Sequence, residues 1–68
     1  MIEDSTGMAV QTGDRIEMHP ATDLWMRGAR FGDVLYAPTN ADYVVVELDR
    51  LPGKQVRVGN GACTVVKA

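Results

Sequence analysis

Short stretches of alternating apolar and polar residues, separated by glycine and proline, run along the chain from residue 13 onward. In the first stretch, Ile16 and Met18 alternate with charged neighbours, which is the two-residue period of a half-buried strand. The clearest stretch spans residues 43–49. Its apolar face consists of Val44, Val46 and Leu48. No stretch has a helix-length apolar period, so the pattern predicts an all-β protein.

The same reasoning places three further strands, at 29–36, 55–58 and 63–67. In the strand at 29–36, Phe31 and Tyr36 fall out of phase, and a β-bulge at Gly32 would explain the shift. Five short antiparallel strands with glycine and proline between them favour a closed or nearly closed small barrel.

Local turn signals connect these strands. Pro52 and Gly53 predict a tight turn between the third and fourth strands. The longest connection, residues 21–28, can hold a single helical turn that Thr22 or Asp23 caps and Gly28 ends.

The 68 residues allow one small domain, and we place it at 13–68. Residues 1–12 carry Glu3 and Asp4 without any periodicity, which predicts a flexible acidic tail. The tail has no signal-peptide pattern and the chain no membrane-length apolar run, so we expect a cytoplasmic protein that does not contact membranes. A core this small is marginally stable, which makes homo-oligomerisation a hypothesis, with Tyr43 and Val45 as the self-contact.

The order of these elements resembles the SH3-like small barrel. Residues 13–16, Gly-Asp-Arg-Ile, look like the opening of KOW-type barrels, and Gly32 lies where those barrels have a glycine in the second strand. Residues 19–28 are similar to a stretch found in short uncharacterised phage and environmental proteins of this barrel type. The resemblance implies the fold over residues 13 to about 66.

A second resemblance is to the plasmid-borne type II dihydrofolate reductases, SH3-like barrels that form a four-copy ring around an active-site pore. Residues 13–16 and the Pro52–Gly53 pair match that family. Its catalytic strand reads Val-Gln-Ile-Tyr, whereas residues 55–58 here read Gln-Val-Arg-Val, and neither possible register restores the pore-lining glutamine and tyrosine. The resemblance implies a homo-oligomeric enzyme as one alternative, and the altered strand argues against it.

The sequence contains few candidates for catalytic residues. Cys63 and His19 are the only cysteine and histidine, and a lone cysteine in a terminal strand is usually a small core residue. Glu47 and Asp49 share the polar face of the third strand, where both would be solvated rather than tuned for acid–base work. We therefore predict no catalytic residue, no metal site and no cofactor.

The candidate binding site is the long first loop. A tryptophan there can line a ligand groove or close the open end of a small core, and the two roles are compatible. Basic residues beside it can contact phosphate or an acidic peptide. The predicted binding residues are Trp25, Met26, Arg27, Arg30 and Arg57. With Arg15 and Lys54, the last three of these could form a basic face.

The sequence thus favours a non-catalytic interaction module whose partner is a protein or a nucleic acid. The net charge of −2 tips the prediction towards a protein, because non-specific nucleic-acid binding draws its affinity from excess positive charge. Nucleic-acid binding is the alternative function, beside the reductase-like enzyme.

Overall fold

The computed structural model describes residues 2–66 and contains five strands and one short helix. The strands are β1 (Arg15–Met18), β2 (Phe31–Tyr36), β3 (Tyr43–Leu48), β4 (Gln55–Gly59) and β5 (Cys63–Val65). The helix α1 (Asp23–Met26) lies between β1 and β2. Within the described chain, no helix has the length and apolar character needed to cross a membrane.

All five strands belong to one antiparallel sheet with the order β4-β3-β2-β1-β5. The prediction of an all-β protein with five short antiparallel strands is therefore confirmed. The ladder begins at β4 and ends at β5, and no pairing joins these two strands within residues 2–66. Closure into a barrel, and the SH3-like likeness with it, stay predictions.

One face of the sheet forms the core. β1 and β3 alternate strictly between half-buried and buried residues, as their two-residue period predicts. The strand predicted at 63–67 is observed as Cys63–Val65, and Lys67 lies outside the described residues. The largest fully buried side chains on the strands are Ile16, Leu48, Val44, Val46, Val58 and Cys63.

The phase shift in β2 has a different origin from the bulge predicted at Gly32. The β2–β3 register is regular from Gly32 to Val34 and shifts between Val34 and Tyr36, which leaves Leu35 and Tyr36 both exposed. Gly32 serves another purpose, because a Cβ there would lie 2.6 Å from the Glu47 carbonyl oxygen. The glycine thus permits close approach of β2 and β3, and the predicted bulge position is wrong.

The predicted turns are present. The Thr22 side chain caps α1 by accepting from the Trp25 N–H at 3.3 Å, and Gly28 follows the helix with a φ of +90°. At the β3–β4 turn, Lys54 N–H donates to the Leu51 carbonyl at 3.1 Å, with Pro52 and Gly53 at the centre.

The segment preceding β1 differs from the flexible tail that we expected. Residues 2–10 fold back on themselves, with Glu3 bridged to Ala9 and Val10 N–H donating to the Ile2 carbonyl at 3.1 Å. Ile2 and Val10 are fully buried in the core. A domain this small gains much from two more buried aliphatic side chains, which explains why the segment packs despite its lack of periodicity.

Candidate functional site

A groove of about 640 Å³ separates the first loop from β4 and the turn that precedes it. Four cationic side chains line it, all on exposed residues: Arg27, Arg50, Lys54 and Arg57. Its aliphatic lining consists of buried or half-buried residues: Leu24, Ala29, Leu51 and Val56. Gln55 completes the lining, and we call this surface the basic groove.

The charges of the basic groove are largely unbalanced. Arg27 forms an ion pair with Asp23 at 3.0 Å, one helical turn away and exposed to solvent. Arg50, Lys54 and Arg57 form no ion pair with any carboxylate in residues 2–66. Among residues 2–66, no carboxylate lines the basic groove. The surface therefore presents net positive charge above an aliphatic base, although the whole chain carries a net charge of −2.

Arg50 is the member of this cluster that the sequence did not reveal. Its guanidinium lies against Gly28, where a Cβ would stand 3.7 Å from Nη1. Arg50 thereby spans from the β3–β4 turn to the first loop, and it also lines a neighbouring depression of about 470 Å³ with Arg30 and Phe31. Arg50 comes after the alternating pattern of β3 ends, so only the proximity of Gly28 in space identifies it.

Trp25, Met26 and Arg30 are not part of the lining of the basic groove. Trp25 is half-buried and packs against the core, and the Arg30 guanidinium covers its ring at 3.9 Å from the centroid. The Trp25 Nε1 is buried and has no hydrogen-bond partner within residues 2–66. Met26 is 67% exposed. Of the five predicted binding residues, the structure brings Arg27 and Arg57 together in the basic groove.

The outer face of β3 is covered in part by the chain itself. The Arg57 guanidinium lies over the Tyr43 ring, 4.7 Å from the centroid. Both Tyr43 and Val45, the residues predicted to mediate self-contact, are half-buried in the single chain.

Arg15, the remaining member of the predicted basic face, lies elsewhere. It donates to the Asp49 carboxylate through Nη1 and Nη2, and Nη1 also donates to Asp33 at 3.2 Å. Hydrogen bonding to Asp49 and Asp33 raises the pKa of Arg15, and the Arg15 hydrogen bond lowers the pKa of Asp49. Arg15 is thus neutralised within the sheet and contributes no free charge to the basic groove.

The residues weighed for catalysis occupy structural positions. Cys63 is fully buried, and burial, with the nearby Asp4 charge, raises the pKa of its thiol to about 11. A thiol with so high a pKa is a poor nucleophile. His19 Nδ1 accepts from the Ala21 N–H at 3.0 Å in the loop before α1. Within residues 2–66, no cluster of three or more histidine, cysteine or carboxylate side chains has the arrangement to hold a metal ion.

Comparison with protein families, with curated proteins and with solved structures found no match to this chain.

Proposed function

We propose that this protein is a small non-catalytic binding module that holds an acidic segment of a partner protein in the basic groove. The observation that carries the proposal is the set of four cationic side chains around one concave, partly aliphatic surface to which no carboxylate of the described residues contributes. Such an arrangement attracts carboxylates by charge and retains neighbouring apolar side chains by burial.

The composition of the basic groove favours a peptide over a nucleic acid. Single-stranded nucleic acids are held by aromatic side chains on which bases stack, and the lining is aliphatic and cationic. Trp25 and Tyr43 already carry Arg30 and Arg57 on their ring faces. An acidic peptide with interspersed apolar residues matches both components of the lining.

Fluorescence anisotropy tests the proposal with two labelled probes, a peptide of alternating glutamate and valine and a single-stranded oligonucleotide of mixed sequence. We expect the peptide to bind more tightly, and its affinity to fall as salt rises, because solvent-exposed charges are screened. The double variant Arg50→Gln/Lys54→Gln should bind the peptide about fivefold more weakly, since each exposed ion pair contributes on the order of 0.5 kcal/mol.

Arg30→Gln/Arg15→Gln is the charge-matched control, since it removes two arginines outside the basic groove. It should change peptide affinity less than the groove variant does. Equal losses in both variants would mean that the peptide responds to overall charge alone. Tighter binding of the oligonucleotide would replace the proposal by the nucleic-acid alternative, and binding of neither probe would overturn both.

A further inference from the structure

The basic groove runs along the edge of β4 and not above one face of it. Three consecutive residues of that region line it, Gln55, Val56 and Arg57. Consecutive side chains of a strand point to opposite faces of the sheet. A groove that contacts all three residues therefore reaches both faces and runs along the backbone at the edge of the strand. β4 pairs with β3 on one side and with no strand on its other side within residues 2–66.

The hydrogen bonds of β3 show which backbone groups face each neighbour. Asp49 N–H, directly after β3, donates to the Phe31 carbonyl at 2.9 Å, so odd-numbered positions of this strand direct their backbone groups towards β2. Adjacent residues of a strand direct these groups to opposite sides. Val44 and Val46 therefore direct theirs towards β4.

Val58 and Val56 stand opposite Val44 and Val46 in the register and take up these hydrogen bonds. The N–H and C=O groups of Gln55 and Arg57 consequently point away from β3, towards the basic groove. An edge of this kind is a template for an additional strand. The cationic side chains lie beside it, and the charge complement of such an edge is an acidic chain.

We infer that the acidic partner segment binds as an extended strand added to the open edge of β4, antiparallel or parallel to it. This inference rests on the proposed function and adds the mode of recognition. The partner backbone pairs with Gln55 and Arg57, its acidic side chains meet Arg50, Lys54 and Arg57, and its apolar side chains contact Leu51 and Val56. Strand addition gives affinity through the backbone and specificity through alternate side chains.

Amide hydrogen exchange by NMR, with and without the glutamate–valine peptide, tests this mode of binding. We expect the amides of Gln55 and Arg57 to exchange rapidly in the free protein and about tenfold or more slowly when the peptide is bound. The amides of Val56 and Val58 should be protected in both states, because they bond to β3. Unchanged exchange at Gln55 and Arg57 in a saturated complex would overturn strand addition and leave the proposed function intact.

A pair of variants examines the same edge without altering charge. Gln55→Pro removes one outward N–H at the first residue of the strand, where proline is tolerated. It should weaken peptide binding several-fold more than Gln55→Ala does, because both variants lose the glutamine side chain and only the proline variant also loses the N–H. Equal affinity of the two variants would contradict strand addition, provided that their melting curves show both to be folded. If the wild-type protein does not bind the peptide at all, the proposed function fails and the inference fails with it.

Discussion

The two edges of the sheet differ in whether their outward backbone groups are hydrogen-bonded. At the β5 edge, Cys63 C=O accepts from Ser5 N–H at 2.8 Å, and Val65 N–H donates to the Asp4 carboxylate at 2.8 Å. At the β4 edge, the outward backbone groups of Gln55 and Arg57 face the basic groove. One edge is closed by the chain's own N-terminal segment, and the other is left beside concentrated positive charge.

This difference separates an edge that the chain itself closes from the edge that we propose binds a partner. Exposed strand edges invite pairing with other chains, and proteins usually cover or charge them. Asp4 closes the β5 edge at low cost because its buried carboxylate accepts from Thr6 N–H and Met8 N–H as well as from Val65 N–H. The lysine and arginines along β4 repel a second basic edge and admit an acidic one.

The largest expected effect is the loss of the Asp4 carboxylate. Burial alone would raise the pKa of Asp4, but hydrogen bonds from Val65, Thr6 and Met8 outweigh it and hold the pKa well below its ordinary value. Asp4→Ala leaves three partly buried N–H donors without their acceptor, so we expect a loss of about 3 kcal/mol in the free energy of unfolding. Urea denaturation followed by Trp25 fluorescence measures it.

Glu3→Ala provides the control, because it removes a carboxylate of the same segment whose side chain is exposed. The backbone contacts of Glu3 with Asn60 and Gly61 remain in this variant. Its stability should stay within about 0.5 kcal/mol of the wild type, as is usual for surface substitutions. Similar losses for Glu3→Ala and Asp4→Ala would show that the buried carboxylate does not fasten the β5 edge.

A smaller effect is expected at alkaline pH from Cys63, also at the β5 edge. Its folded-state pKa of about 11 lies above the ordinary value of 9.0, so the folded protein favours the neutral thiol. This contribution is complete below pH 9 and is lost as the pH rises through 11, with a decrease of about 2 kcal/mol in the free energy of unfolding.

Cys63→Ala should show a weaker decline over the same pH range when both proteins are melted side by side. All other side chains are the same in the two proteins, so the difference between the two curves reports the thiol. Labelling of native Cys63 by a thiol reagent at neutral pH should also be slow. Rapid labelling, or identical pH curves, would show that the β5 edge opens readily.

Much of the fold could be predicted from the sequence because its signals are local. The alternation of Ile16 and Met18, the Thr22 cap and the Pro52–Gly53 turn each depend on neighbours within a few positions. The irregularity in β2 lies near Leu35, whereas the sequence predicts it at Gly32. A glycine that permits close strand approach and a glycine that permits a bulge cannot be told apart in one sequence.

The missed features depend on contacts between distant parts of the chain. Asp4 accepts from the N–H of Val65, which lies 61 residues further along the chain. The sequence does not reveal this contact, and an acidic residue in a segment without periodicity is ordinarily exposed. The sequence predicts only part of the basic groove, again because the missing part depends on a contact between distant residues. Arg27 and Arg57 could be named from their positions, but Arg50 joins them only because Gly28 lies beside it in space.

The most direct test of the contrast between the two edges is amide hydrogen exchange of the free protein, compared at Val65 and Arg57. Both N–H groups point outward from an edge strand, and only that of Val65 has an acceptor, the Asp4 carboxylate, within residues 2–66. We predict that the Val65 amide exchanges about a hundredfold more slowly than the Arg57 amide after correction for intrinsic rates. Equal protection at the two positions would contradict this prediction.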